Sequence, residues 1–274
     1  MKRSFFSGPY GLWMILFTIC PMIFVAYYAF TTSDGALTFE SVARCFEGTY
    51  MSILWLSIRL ALECTGICLL IGYPCAYFLA SKDFSKFKTL FVLILLPMWM
   101  NFLLRTYATM SLLENRGIIN TLLEKMGFER KVLIGTEGAV LFGMVYNYLP
   151  FMVLPIHTSL KKMDVRVIEA AQDLGANSVR VFTRVTLPLS VPGVVSGITM
   201  VFMPSITTFA ISRLLGNNKF MLLGDMIEKQ FMESYDWSFG SALSLFMTVL
   251  IVISIGFLNR IDRSASAKEG GANW

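Results

Sequence analysis

Asp164 to Pro188 reads DVRVIEAAQDLGANSVRVFTRVTLP, a polar, helix-patterned stretch set between two apolar runs. Asp164 is a good N-cap, and Val165, Ile168, Ala171 and Gln172 to Leu174 follow as a stripe at helical spacing. Gly175 tolerates a left-handed backbone, which predicts the end of that helix. Asn177 or Ser178 then caps a second short helix through about Val185, and Leu187-Pro188 is expected to end it and turn the chain into the next apolar run. The reading is a helix, a glycine elbow and a second helix standing outside a membrane. An amphipathic helix lying on lipid headgroups is the alternative, but such a helix needs neither a small Ala170-Ala171 pair nor an elbow at a fixed distance.

The rest of the chain supplies the membrane. Of 274 residues 55% are hydrophobic and only 15% charged, and the mean hydropathy is +0.64, which excludes an ordinary soluble domain. A sequence pI near 8.9 is compatible with nucleic-acid binding, but the cations are scattered over short connections, as in a polytopic membrane protein. Apolar runs at about 10–30, 53–80, 90–110, 138–158, 191–211 and 241–258 predict six spans in an all-α fold and a single transmembrane domain over residues 1–274, with the polar loop 159–190 inside it. The first run is long enough to span, and no small-residue cleavage site follows it, so it is read as a retained span and not a signal peptide. Gly72 and Pro74 predict a kink near the end of the second run. With both termini inside, the inner segments hold 13 Lys and Arg against six acids, and the longer outer loops hold eight against 11. That density places the termini and the 159–190 loop in the cytoplasm.

Glu169-Ala170-Ala171, Gly175 four residues after the last alanine, and Leu187-Pro188 resemble the EAA signature of ABC importer permeases, with Val185 where that family usually has isoleucine. The resemblance implies a type I importer permease architecture, with Glu169, Ala170, Ala171, Gly175, Leu187 and Pro188 coupling the membrane helices to a cytoplasmic ATPase dimer. It also implies a second permease subunit, an extracytoplasmic substrate-binding protein and a bacterial cytoplasmic membrane as the setting. The segments GYPCAYFLA (Gly72 to Ala80), LLPMWMNFLLRTYA (Leu95 to Ala108), NYLPFMVLPIHTSL (Asn147 to Leu160) and YDWSFGSALS (Tyr235 to Ser244) resemble the first permease subunit of spermidine/putrescine importers. Polyamine is the cargo that likeness implies; sulfate, phosphate or a chelated metal is the alternative, with Arg59, Arg105 and Arg213 as ligands. A secondary carrier is a further alternative, thinly equipped with one interior acid.

The chemistry expected of the chain itself is transport and not catalysis. No G-x-x-x-x-G-K-[ST] loop occurs, so the ATPase is expected as a separate subunit, and neither a cofactor nor a metal set is predicted: Cys64 and Cys68 lie a turn apart, but His157 is the lone histidine and lies far from them. Candidate pathway or gate residues are Phe209, Glu63, Trp99, Asn101 and Arg213. Phe209 lies at the outer end of the fifth run, in the segment where the resembled family closes its pathway. Glu63 is the only acid within the runs, and Arg59 four residues earlier either neutralises it as a structural pair or leaves it as a waypoint for an ammonium group. Trp99 and Asn101 accompany Arg105 on the third run. Arg213 suits a cationic cargo only if Asp225 or Glu228 neutralises it. Residues 115–127 read as an amphipathic outer helix that packs on the spans or receives a binding protein, and the tail from Ser264 reads as unstructured.

Overall fold

The structure, a computed structural model, describes residues 3–32, 35–81 and 88–270. Lys2, Asp34, Lys82, Asp83 and Lys86, which enter the charge comparison above, lie outside it. The helices are α1 (Arg3–Met14), α2 (Cys20–Ala29), α3 (Glu40–Arg44), α4 (Gly48–Ala80), α5 (Lys88–Trp99), α6 (Phe102–Leu113) and α7 (Ile118–Lys125). They continue as α8 (Glu137–Lys162), α9 (Val165–Asp173), α10 (Ser178–Val181), α11 (Leu187–Ile206), α12 (Ala210–Leu215), α13 (Leu223–Met232) and α14 (Trp237–Gly270). Among the described residues the only β pairing is a single antiparallel bridge between Thr31 and Leu37.

Five stretches are long and apolar enough to cross a membrane: Pro9–Ala29, Gly48–Ala80, Glu137–Lys162, Ser178–Ile206 and Trp237–Leu258. The sixth expected run, 90–110, is two helices meeting at 106° between Trp99 and Phe102. Asn101 is the reason for the break. Its side-chain oxygen accepts the N–H groups of Leu103 (2.9 Å) and Leu104 (3.3 Å), capping α6, while Pro97 sits in the last turn of α5. A good N-cap here outweighs the apolar continuity that made the run look like one helix.

The core is α4, α8 and α11, with α14 and α2 packed on its flank. Glycine makes the close approach possible. A Cβ on Gly72 of α4 would stand 2.9 Å from Met152 Cγ, and one on Gly197 of α11 would stand 2.7 Å from Met152 Sδ. The fully buried Met152 of α8 thus fills a notch offered by both neighbours, small residues admitting backbones to van der Waals contact as membrane helix pairs require. Helix α4 runs unbroken past Gly72 and Pro74. Two other expectations change. The second half of the polar loop does not stop at Leu187-Pro188, because α10 passes into α11 through a wide π-type turn at Phe182–Thr186, where the Leu187 N–H reaches back to the Phe182 carbonyl. The extra residue in that turn shifts the hydrogen-bond register just where Pro188 lacks an N–H, so the helix survives it. At the other end α14 continues to Gly270, carrying helical order through the polar tail.

Candidate coupling elbow and gate

The elbow forms as its residue types require. Asp164 Oδ1 accepts the Arg166 N–H at 3.0 Å and opens α9; Asn177 Oδ1 accepts the Arg180 N–H at 2.9 Å and opens α10. Between them Gly175 has φ +79°, with its N–H on the Gln172 carbonyl (2.8 Å) and the Ala176 N–H on the Ala171 carbonyl (3.1 Å). This paired closure needs a left-handed residue at position 175. Glu169, Ala170 and Ala171 lie on α9, and Leu187 and Pro188 begin α11, so one rigid helix joins the elbow to a core span. Helix α9 buries no residue, and Leu174 at its tip is 89% exposed. Val167 and Val179 of the same loop are exposed as well, so the polar loop carries several uncovered apolar side chains and not one.

At the opposite end of α11 the chain breaks at Thr207–Phe209. Phe209 caps α12 with its carbonyl, which takes the Arg213 N–H (3.0 Å) and the Ser212 hydroxyl (2.9 Å), and leaves its ring half exposed. Helix α13 is laid directly on this break: a Cβ on Gly224 would stand 2.7 Å from the carbonyl oxygens of both Thr207 and Thr208. Arg213 pairs with Glu228 at 3.1 Å, and the two face Asp225 across a cavity of about 270 Å³. Burial pushes the Asp225 carboxyl up to about 6, with Glu228 adding to the rise; Ser212, the Leu222 N–H and Arg213 pull the other way.

The remaining candidates do not converge on one point. Glu63 lies 3.7 Å from Arg59 as the spacing predicts, but Arg59 also forms a closer pair with Glu137 at the start of α8. The Glu63 side chain is 45% exposed on the flank of this chain, a position that hydrocarbon would not accommodate, so it marks a face that meets protein or water. Trp99 is 85% exposed at the end of α5, Asn101 spends its oxygen on the α6 cap, and Arg105 is buried on α6 beyond the break. The expected Trp99, Asn101 and Arg105 grouping is therefore divided by the bend.

Comparison with known proteins settles the class. Residues 69–267 match the family described as binding-protein-dependent transport system inner membrane component. The chain belongs to that family. This permease is 39% identical over 265 residues to the spermidine/putrescine transport system permease protein PotB of Haemophilus influenzae, covering 93% of this chain and 92% of that one. It is 34% identical over 264 residues to PotB of Escherichia coli, covering 93% and 96%. Among solved structures, a bacterial alginate ABC transporter in complex with an alginate pentasaccharide-bound periplasmic protein superposes with a TM-score of 0.76 at 19% identity, over 93% of this chain and 92% of that one. The inward-facing MetNI methionine ABC transporter gives 0.62 at 16%, over 78% and 95%. The permease thus has the all-α fold of type I ABC importer permeases.

Sequence reading missed three features of the permease. Glu137 counted only as an outer-loop acid, yet it is the nearer partner of Arg59, 78 residues away. Arg44 and Asp236 pair at 3.2 Å across 192 residues. The burial of Asp225 depends on how α13 folds back over α12. None leaves a local signal, because each depends on which helices become neighbours.

Proposed function

We propose that this permease is one membrane half of an ATP-driven importer that moves polyamines, spermidine or putrescine, across a bacterial cytoplasmic membrane. The observation that carries the cargo is the likeness to spermidine/putrescine permeases over nearly the whole chain, which extends beyond the elbow that many importers share. The paired Arg213 agrees with it, since Glu228 offsets a cation one turn from Phe209 that would otherwise repel an ammonium group. A cytoplasmic ATPase dimer covers Leu174 and the EAA helix, a second and related permease completes the pathway, and a binding protein delivers cargo to the Phe209 side. The six spans then run as the cation distribution orients them, with the elbow inside. Thr207–Phe209 is the gate, because it joins the helix that carries the elbow to the helices α12 and α13 at the far end. ATP supplies the energy in the partner chains; this chain makes and breaks no covalent bond.

The test is uptake of labelled spermidine and putrescine by cells with and without this chain, in a strain lacking other polyamine importers. Loss of high-affinity uptake that excess sulfate, phosphate or amino acid does not mimic supports the cargo. Normal uptake refutes it. Leu174→Asp separately tests the coupling surface: with Leu174 in solvent, the variant should insert normally and lose co-purification with the ATPase, and retained co-purification would refute that role.

A further inference from the structure

At the end of the bundle opposite the elbow, with no lining residue in common with the cavity at Arg213 and Asp225, the ends of α2 and α14 line a second, open cavity of about 920 Å³. Its frame is built. Ser238 Oγ donates to the Thr31 carbonyl at 2.7 Å, tying the turn after α2 to α14. Asp236 accepts the Phe239 N–H at 3.0 Å to open α14, and its other oxygen takes Arg44 Nη1 at 3.2 Å; the Arg44 guanidinium also lies 4.2 Å from the Phe239 ring centroid. Both charges of that pair are thereby engaged in holding the wall. The lining left to a ligand includes Tyr27, Tyr28, Tyr235 and Trp237, several Ser and Thr residues, and Glu40, which has no ion-pair partner among the described residues. Tyr235 is held at φ +54°, a conformation that non-glycine residues rarely adopt, and this turn places it on the cavity wall.

We propose that this cavity is a site for an organic ammonium group, separate from the gate. Aromatic faces attract ammonium electrostatically, an unpaired carboxylate completes its neutralisation, and Arg44, the one cation among the described lining residues, is already spent on Asp236 and Phe239. An anion would meet ring faces and a net negative wall. Aromatic residues also belt membrane proteins at the headgroup level, and these four are 42–73% exposed, but here they share one cavity lining with two carboxylates. The ligand class is read from the lining, so the site stands or falls apart from the cargo proposed above. Two sources present the same chemistry: a free amine, and the ethanolamine headgroup of a lipid.

The test is flow dialysis of labelled spermidine against the permease complex, purified in maltoside micelles without binding protein. Glu40→Gln removes the charge without touching the frame, and Tyr235→Asn removes a ring with a residue that tolerates the same backbone. Each should weaken binding about three- to tenfold, with tetramethylammonium competing and sulfate not. Competition by added phosphatidylethanolamine would identify the lipid headgroup as the occupant, and its absence a free amine; either outcome supports the site. Equal affinity in wild type and both variants, no saturable binding of spermidine or tetramethylammonium, or weakening confined to Glu63→Gln would overturn it. Cellular uptake decides the cargo independently of all three.

Discussion

Substitution of Gly175 isolates the one backbone angle on which the coupling elbow depends. Nothing lies within 4 Å of the place a Cβ would occupy, so a side chain there meets no steric obstacle within this chain and its cost is the strain of φ +79° alone. For alanine that strain is roughly 1–2 kcal/mol, and more for valine, whose branched Cβ narrows the choice further; asparagine tolerates the angle best. Helix α9 has no fully buried residue, only the half-buried Ile168 and Ala171, so little packing holds the elbow in place against the penalty. A shift of 1–2 kcal/mol then lowers the equilibrium constant for the native elbow by about 5- to 30-fold, while the core of α4, α8 and α11 is untouched. The complex is reconstituted in vesicles with ATPase and binding protein, and cargo moved per ATP hydrolysed is measured alongside membrane content. Coupling should fall in the order wild type, Asn, Ala, Val at constant content. Valine behaving as wild type would refute the argument. Asn and Val failing equally would show that glycine is needed for room against the partner and not for its angle.

The other predictions concern the far end of the bundle and the charge pairs. Gly224→Ala places a methyl 2.7 Å from two carbonyl oxygens and should cost about 1–3 kcal/mol; an unchanged melting temperature together with unchanged uptake would show that α13 does not rest on the Thr207–Phe209 break. Arg59→Met strips both Glu63 and Glu137 of their partner and leaves two carboxylates unpaired, so immunoblots of membranes should show less of it than of Glu63→Gln; equal levels would refute the shared pairing. The raised Asp225 carboxyl, at about 6, binds its proton more tightly folded than unfolded. The protein should therefore gain stability as pH falls through about 6 towards the unfolded value near 4. Melting scans of Asp225→Asn should lack that slope, and a wild type that loses stability over the same interval would contradict the burial.

What could be read along the chain was whatever local chemistry governs. Five of the six apolar runs, the Asp164 and Asn177 caps and the left-handed Gly175 all follow from residue type and spacing within a few positions, and each is in place in the structure. The same local rules were misread where two of them compete. The 90–110 run presented as one span because the apolar neighbours of Asn101 masked its capping signal, and Leu187-Pro188 presented as a stop because a π-type turn leaves no trace in a pattern of hydrophobic residues. The gate region was legible only as a place: Phe209 could be located at the end of an apolar run, but not that α13 would close over it at Gly224. Arg59 shows the limit most plainly. Its neighbour Glu63 is visible four residues on, yet its nearer partner Glu137 is supplied by another helix. Caps and apolar runs are settled by residues one or two turns apart, so the sequence by itself determined the spans and the elbow. Charge pairing, the Met152 notch between Gly72 and Gly197, and the ring-lined cavity at Asp236 depend on which helix surfaces meet, and only the tertiary packing decided those.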